Sequence, residues 1–416
     1  MFNGVKGGYI YIGFRETYTM TTTAIPGTKY RIESIDILRG LIMLIMALDH
    51  TRDYIHLNNP NPTDLATTTP ILFFTRWITH FCAPLFIFLS GISAQLAGTR
   101  RTKAQLSAFL IKRGLWLIVV EVVVISFALT LDPGYHLVML LVFWSIGASM
   151  IILGLLIWLP LPVIALIGAA LLFGHDLFDY SLVAMPKDGS GRVLLNLFFT
   201  ARGTIVQLDK THILGDFYAL LPWTALMLLG YTFGTIYASV FDADRRKRIL
   251  LSSGIALIAL FIFLRAFNLY GDPAPWAVQK TTALTIISFF NLSKQPPSLL
   301  YVCMTLGPGL LMLVLFERVK NRLTRIFIVY GSVPFFYFVL HLYIIRAINL
   351  IVFFAMGFNG KDAGIGKGLG FGPKGYGLNL FGVYLVWLVV IAALYLPCRW
   401  FSKYKRTHSK WWLSYL

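Results

Sequence analysis

Cysteine and charged residues are both scarce in this chain of 416 residues. The three cysteines, Cys82, Cys303 and Cys398, each lie inside an apolar run, and their spacing fits neither a disulfide framework nor a metal site. We therefore predict buried packing cysteines and no metal. Charged residues make up 13% of the chain and hydrophobic residues 57%, which excludes a soluble protein of this length. The composition predicts an all-α, polytopic transmembrane helical bundle in a lipid bilayer.

Acidic residues are the scarcer of the two charged classes, so the formal net charge is +18. The basic residues form short clusters between apolar runs rather than one basic face, which argues against a nucleic-acid partner. Positively charged short loops are retained on the cytoplasmic side of a membrane. Because the clusters at 100–113, 245–248 and 318–325 and in the tail alternate with less basic loops, both termini are predicted to be cytoplasmic.

About ten apolar segments approach the roughly 20 residues needed to cross a bilayer. We divide the chain into a segment at 1–30, predicted to be disordered or untranslated, a transmembrane domain at 31–401, and a basic cytoplasmic tail at 402–416. The ninth span is open to division into two pieces. The predicted spans are 35–56, 71–96, 109–131, 137–159, 162–177, 213–240, 249–269, 297–316, 326–356 and 380–401.

The first span carries an unusual number of ionisable residues. Each Asp or Arg at mid-membrane costs about 2.5 to 3.5 kcal/mol on insertion scales, so such a helix is expected to line a wet site. At 100° per residue, Asp36, Arg39, His50 and Asp53 share one face, with Asp49 beside His50 near the external end. A structural ion pair of Asp36 with Arg39, or merely a solvated helix end, is the plainer alternative.

Spans two and nine add titratable residues at the same external depth. Arg76 and His80 lie one turn apart in span two, and His341 and Arg346 lie in span nine. Histidine suits proton transfer near neutrality, although a lone histidine such as His341 is often a packed core residue. These four residues are predicted to converge with the first span in one hydrated cavity.

Two prolines open span eight beside a basic residue. Lys294 and Ser298 flank Pro296 and Pro297, and a helix that begins there would attract a phosphate or carboxylate group at its N-terminus. The alternative is an ordinary helix start with a basic flank.

Five ordered blocks resemble the catalytic domain of the heparan-alpha-glucosaminide N-acetyltransferase family, particularly its bacterial relatives. The blocks are SIDILRGLIMLIMALDH, THFCAPLFIFLSG, LLPWTALMLLGYTFG, FNLSKQPPSLLY and YGSVPFFYFVLHLY. The resemblance implies a multi-span acyltransferase of a bacterial inner membrane, with cytosolic acetyl-CoA as co-substrate and a sugar or glycan acceptor on the opposite side. The family's D-x-x-R-G opening is matched by Asp36, Arg39 and Gly40. The animal enzyme has a functional histidine in its first external loop; the loop at 57–70 has none.

The resulting hypothesis is acyl transfer with a histidine as general base. His50 assisted by Asp53, or else His80, would deprotonate the acceptor, and Arg76 or His341 would stabilise the oxyanion. Arg39 and nearby basic residues would favour the CoA phosphates. The remaining residues predicted to bind donor or substrate are Asp36, Asp49, Lys294, Ser298 and Arg346.

Two other classes stay open at this point. The same titratable groups could serve a proton-coupled transporter or a lipid or solute flippase, or the chain could be a membrane scaffold. A homo-oligomer is compatible with the sequence.

Overall fold

Helices dominate the computed structural model, which describes residues 32–178, 190–200, 204–362 and 373–414. The predicted segment 1–30 lies outside the described residues. Short π-helical stretches follow α4 (Glu121–Ile125) and α8 (Asn196–Thr200). The helices are α1 Glu33–Ile55, α2 Pro70–Thr79, α3 Cys82–Gly98, α4 Lys103–Val120, α5 Ser126–Thr130, α6 Val142–Leu156, α7 Leu161–Gly174, α8 Ser190–Leu195, α9 Leu220–Phe233, α10 Ala243–Ala266, α11 Thr282–Phe290, α12 Leu299–Arg318, α13 Arg322–Gly331, α14 Pro334–Ala355 and α15 Leu380–Thr407.

Polar caps fix where several of these helices begin. Thr69 accepts a hydrogen bond from the backbone N–H of Leu72, and Pro70 occupies the first turn of α2, where it removes no helical hydrogen bond. Thr102 forms a reciprocal capping box with Gln105 at the start of α4. These local signals convert apolar segments of the sequence into helices with defined ends.

Among the described residues, six helical segments are long and apolar enough to cross a membrane, judged by length and composition. They are Pro70–Gly98, Leu220–Tyr237, Ala243–Ala266, Leu299–Arg318, Pro334–Ala355 and Leu380–Thr407. Helix α1 carries six charged residues and falls outside this group. The other predicted spans coincide with α4 and its continuation to Thr130, with α6 and with α7. The count of ten spans therefore stays a prediction, as does the orientation of the termini.

Helix α1 lies at the centre of the bundle, in contact with α3, α12, α13, α14 and α15. Its side chains Leu38, Met43 and Ala47 are completely buried. Gly40 approaches the backbone of Phe327 on α13 so closely that a Cβ atom would collide with it. Small residues permit this kind of close helix contact. The charged residues of α1 are therefore carried into the interior of the protein.

A three-stranded sheet interrupts the helical bundle. Strand β1 (Leu137–Leu140) pairs in parallel with β3 (Ile213–Asp216), which pairs antiparallel with β2 (Thr204–Gln207). The prediction of an all-α fold was incomplete here, because four-residue apolar strands that run directly into helices cannot be separated from them by periodicity. Strands β1 and β3 lead into α6 and α9, and so bring Val142 and Tyr218 to one internal cavity.

The predicted ninth span consists of two helices. Helix α13 ends at Gly331 and α14 begins at Pro334, because a proline disfavours helical geometry in the residue before it. Val333 has φ −135° and ψ 50°, outside the helical region. The last helix, α15, continues past the predicted domain boundary at 401 to Thr407.

Candidate functional site

Four charged side chains from α1 and α2 form a buried ion cluster, which consists of Asp49, Arg52, Asp53 and Arg76. The Asp49 carboxylate accepts from Arg52 Nη2 at 3.0 Å and from Arg76 Nη1 through its other oxygen. Arg52 Nη2 also donates to Asp53 at 2.5 Å. Asp49 is 7% exposed and Arg52 3%, so these charges are compensated inside the protein and are little screened by water.

Two histidines that lie 291 residues apart form a hydrogen-bonded pair. His50 Nδ1 lies 2.7 Å from His341 Nε2, and His341 Nδ1 lies 3.1 Å from the carbonyl oxygen of Tyr337. A carbonyl oxygen only accepts, so the proton of neutral His341 is assigned to Nδ1 and its Nε2 accepts from His50. His50 Nε2 is then left with a lone pair, as a general base requires.

The partner of His50 differs from the one expected from the sequence. Asp53 was expected to assist His50, but its carboxylate pairs with Arg52. His341 was expected to stabilise an oxyanion, but both of its ring nitrogens are occupied, one by Tyr337 and one by His50. Helical spacing brings His50 and Asp53 to one face, yet the nearer guanidinium takes the carboxylate. His341 therefore orients His50.

His50 lines a small cavity, which we call the inner chamber. Its volume is about 50 Å³. Asp49 and Lys294 contribute charge to its wall, and the rest is mainly apolar or aromatic. The lining comprises Met46, Asp49, His50, Thr79, Cys82, Ala83, Phe86, Val142, Tyr218, Lys294 and Phe338.

A second and larger space, the outer cavity, has a volume of about 840 Å³. The ion cluster contributes Arg52, Asp53 and Arg76 to its wall, and His80 and Lys294 also line it. Lys294 is shared with the inner chamber, so its side chain lies where the two spaces meet. Burial and the neighbouring Arg76 lower the pKa of Lys294 to about 8, against the opposing effect of Asp49 and Asp53.

His80, the second candidate base, lies in the outer cavity rather than beside His50. It is 1% exposed, and its ring packs 5.3 Å from that of Tyr301. Its Nδ1 has no hydrogen-bond partner among the described residues. No side chain in that part of the structure therefore orients the His80 imidazole as His341 orients His50.

A third space, the basic cavity, lies toward the N-terminal half of α1 and has a volume of about 220 Å³. Arg39, Arg113 and Lys405 line it. Arg39 donates to Asp36 at 3.1 Å and to Ser93 Oγ at 2.9 Å, so the predicted pair with Asp36 is present in the wall of a cavity. Phe86 lines both the basic cavity and the inner chamber.

Two residues predicted to bind substrate make structural contacts. Ser298 is completely buried, donates to Asp272 at 2.7 Å and caps α12 by accepting from Tyr301 N–H. Arg346 donates to Asn349 at 2.9 Å and lies 5.2 Å from the centre of the Tyr54 ring. Neither residue lines the three cavities described above.

Arg265 and Asp272, which the sequence analysis left without a role, hold the loop that carries Lys294. Arg265 is 1% exposed. Its guanidinium donates to the carbonyl oxygens of Ala274, Ser288, Phe289 and Asn291 at 2.7–3.1 Å. Asp272 accepts from the backbone N–H of Ser293 at 2.9 Å. An arginine inside the apolar run at 249–269 was a signal of burial that the sequence analysis did not use.

Within the described ranges, no group of three or more His, Cys, Asp or Glu residues could hold a metal ion.

The family model described as heparan-alpha-glucosaminide N-acetyltransferase, catalytic, matches residues 31–270. No curated protein matches the chain. The matched range includes the ion cluster, His50 and His80, whereas Lys294 and His341 lie beyond it.

Proposed function

Because this chain belongs to the heparan-alpha-glucosaminide N-acetyltransferase catalytic family, we propose that it transfers an acetyl group from cytosolic acetyl-CoA to an acceptor on the opposite side of a membrane. One observation carries the proposal: three cavities follow α1 in series, with His50 in the middle one. Phe86 lines both the basic cavity and the inner chamber, and Lys294 lines both the inner chamber and the outer cavity. The family does not favour the transporter or flippase alternative.

In this proposal the donor, acetyl-CoA, binds in the basic cavity. Its cations Arg39, Arg113 and Lys405 suit the phosphates of CoA. Arg39 and His50 are eleven residues apart on α1, a rise of about 16 Å. An extended pantetheine arm can span that distance, so phosphates held near Arg39 would leave the thioester in the inner chamber.

The chemistry requires one base and one cation. His50 Nε2 takes the proton from the acceptor's hydroxyl or amine as that group attacks the thioester carbonyl. The oxyanion forms where the inner chamber meets the outer cavity, and the N–H groups of Arg76 that are not used by Asp49 stabilise it from the outer-cavity side. The C–S bond then breaks, and the departing CoA sulfur takes the proton from His50. His341 keeps the imidazole of His50 in the tautomer that this step needs.

The proposed topology has ten spans and two cytoplasmic termini, in a bacterial inner membrane. The cations of the basic cavity support this orientation, because Arg113 belongs to one of the basic clusters and Lys405 to the tail. The outer cavity then opens toward a sugar or glycan acceptor in the cell envelope. A homo-oligomeric assembly remains compatible with this arrangement.

CoA is expected to stabilise the purified protein through Arg113. At a CoA concentration about 100 times Kd, the gain in unfolding free energy would be about 2.7 kcal/mol. Arg113→Gln is expected to weaken CoA binding by about tenfold or more, since it removes a charged contact. The measurement is thermal unfolding in detergent over a CoA titration.

Arg101→Gln is the charge-matched control for this measurement. Arg101 is exposed and packs on the Phe109 ring, 4.4 Å from its centre, without lining the basic cavity. We expect its CoA titration to match that of the wild type. An absent CoA effect, or equal losses in the two variants, would refute the donor site.

Phe86 is expected to limit the length of the acyl chain. The inner chamber of about 50 Å³ suits a two-carbon group, and each further methylene in a tight pocket changes the free energy by about 1–3 kcal/mol. Phe86→Ala should therefore lower the preference for acetyl-CoA over butyryl-CoA, measured as a ratio of kcat/KM values, by about tenfold or more.

Phe109→Ala provides the matched control, since Phe109 lines the basic cavity but not the inner chamber. Its acyl preference is expected to stay at the wild-type value. An equal change in the two variants would show that chain length is not selected at Phe86.

A further inference from the structure

The wall of the outer cavity contains buried nitrogen atoms without hydrogen-bond partners. Arg52 uses Nη2 for both carboxylates of the ion cluster, but its Nε and Nη1 have no partner among the described residues. The same is true of His80 Nδ1. A buried donor left unsatisfied costs about 1–3 kcal/mol. These atoms are therefore expected to have a hydrogen-bond partner in the functional protein.

The charges around this cavity leave one cation in excess. Arg52, Arg76 and Lys294 are positive, whereas only Asp49 and Asp53 oppose them. Both carboxylates pair with the guanidinium groups, and the Lys294 ammonium has neither a hydrogen bond nor an ion pair within the described chain. Burial and Arg76 favour the neutral form of Lys294 and lower its pKa, which an anion beside it would reverse.

The backbone that carries the excess cation is held in place by the fold. Lys294 belongs to the loop in which the Asn291 carbonyl oxygen accepts from Arg265 and the Ser293 N–H donates to Asp272. Because this backbone is already fixed, a ligand has only the Lys294 side chain left to order when it binds. The loop thus presents Lys294 to the outer cavity.

The rest of the wall suits a hydroxylated ligand. The outer cavity has a volume of about 840 Å³, which lies within the usual range of ligand sites. Side-chain amides and hydroxyls line it, and these can both donate to and accept from sugar hydroxyls. They belong to Asn59, Asn61, Thr63, Asn291, Ser293 and Gln295.

We propose that the outer cavity recognises an anionic sugar, whose carboxylate or phosphate lies between Arg52, His80 and Lys294. The identification of this sugar as the acetyl acceptor rests on the proposed function; the anion site itself does not. Its negative charge would balance the cluster and give Arg52 Nη1 and the Lys294 ammonium the partner that no described side chain supplies.

The test measures ligand binding to the purified full chain without any donor. Thermal unfolding in detergent is followed with glucose, glucuronate, glucose 6-phosphate and inorganic phosphate at constant ionic strength. Glucuronate or glucose 6-phosphate is expected to raise Tm, and glucose to raise it far less. Whichever anion acts identifies the recognised group, and Lys294→Gln is expected to weaken its binding by about tenfold or more.

Matched variants distinguish binding in the outer cavity from binding in the basic cavity or at the protein surface. Lys280→Gln removes an exposed lysine that does not line the outer cavity and should behave as wild type, while Lys294→Arg should retain binding. A sugar phosphate effect lost in Arg113→Gln but kept in Lys294→Gln arises in the basic cavity and overturns the proposal. Equal stabilisation by glucose and glucuronate also overturns it.

The CoA titration distinguishes failure of this proposal from failure of the proposed function. It also shows whether Lys294→Gln is folded, because CoA should stabilise that variant normally. If CoA stabilises the protein and no anionic sugar does, acyl transfer stands and the acceptor inference is wrong. If the anions act and CoA does not, the anion site stands without the transferase.

Discussion

His50→Ala is expected to lower the rate of acetyl transfer by about 10²- to 10⁴-fold, the usual contribution of a general base. The imidazole lines the inner chamber and makes its hydrogen bond to His341 rather than to a charged group. Removing it enlarges the chamber, where a water molecule can bond to His341 Nε2. Affinity for CoA and Tm should therefore stay close to the wild-type values. The measurement is acetyl-CoA-dependent acylation in proteoliposomes, beside thermal unfolding.

His56→Ala is the matched control for this loss. His56 follows α1, is half-buried, and lines none of the cavities described above. It should retain most of the activity. A large loss in His80→Ala with little loss in His50→Ala would instead assign the base to the outer cavity. A collapse of Tm in His50→Ala would indicate that the histidine pair is structural.

The sequence was sufficient to predict that α1 lines a polar site. Charges are costly in an apolar helix, and helical spacing predicted that Arg39, His50 and Asp53 lie on one side. In the structure these residues border the three cavities in order along α1. Arg76 and His80 join Asp53 in the outer cavity, at the end of α1 expected from their depth in the second span. The prediction of one cavity shared by all these residues was wrong, because the polar groups of α1 are divided among three spaces and His341 and Arg346 line none of the three.

The hydrogen-bond partners of His50 and Asp53 could not be predicted from the sequence of one helix. The hydrogen bond between His50 and His341 depends on how α14 approaches α1, and that approach is fixed by contacts far apart in sequence. One example is the passage of Gly331 over the backbone of Asp36. The pairing of Asp53 with Arg52 likewise reflects competition among neighbouring charges, which spacing alone does not resolve.

The sequence pattern also could not predict which residues line the cavities. Tyr218 reaches the inner chamber because β3 pairs with β1, a parallel contact between segments about 75 residues apart. Phe86 is one of many aromatic residues in apolar spans, and periodicity did not distinguish it. Its position between two cavities is a property of the packed bundle.

Asp49→Asn is expected to lower the free energy of unfolding by about 3–5 kcal/mol, the usual cost of breaking a buried ion pair by removing one partner. The substitution keeps the shape of the side chain but removes the charge that Arg52 and Arg76 share. Both guanidinium groups would then be buried with less compensation. Unfolding by denaturant or heat, in one detergent, measures the change.

Asp53→Asn is the matched control in the same cluster, since the Asp53 side chain is 25% exposed and Arg52 is its one ion-pair partner among the described residues. Its expected cost is smaller, about 1 kcal/mol, because water partly screens this carboxylate and Arg52 keeps its bond to Asp49. If the two variants lost the same free energy of unfolding, Asp49 would contribute no more to stability than Asp53 does. A further comparison isolates the charge: Arg76→Gln should cost less in the Asp49→Asn background than in the wild type, because its counter-ion is already gone. Coupling of that sign would establish that the Asp49 carboxylate joins α1 to α2. Asp49 itself lines the inner chamber, and the two arginines that it binds line the outer cavity.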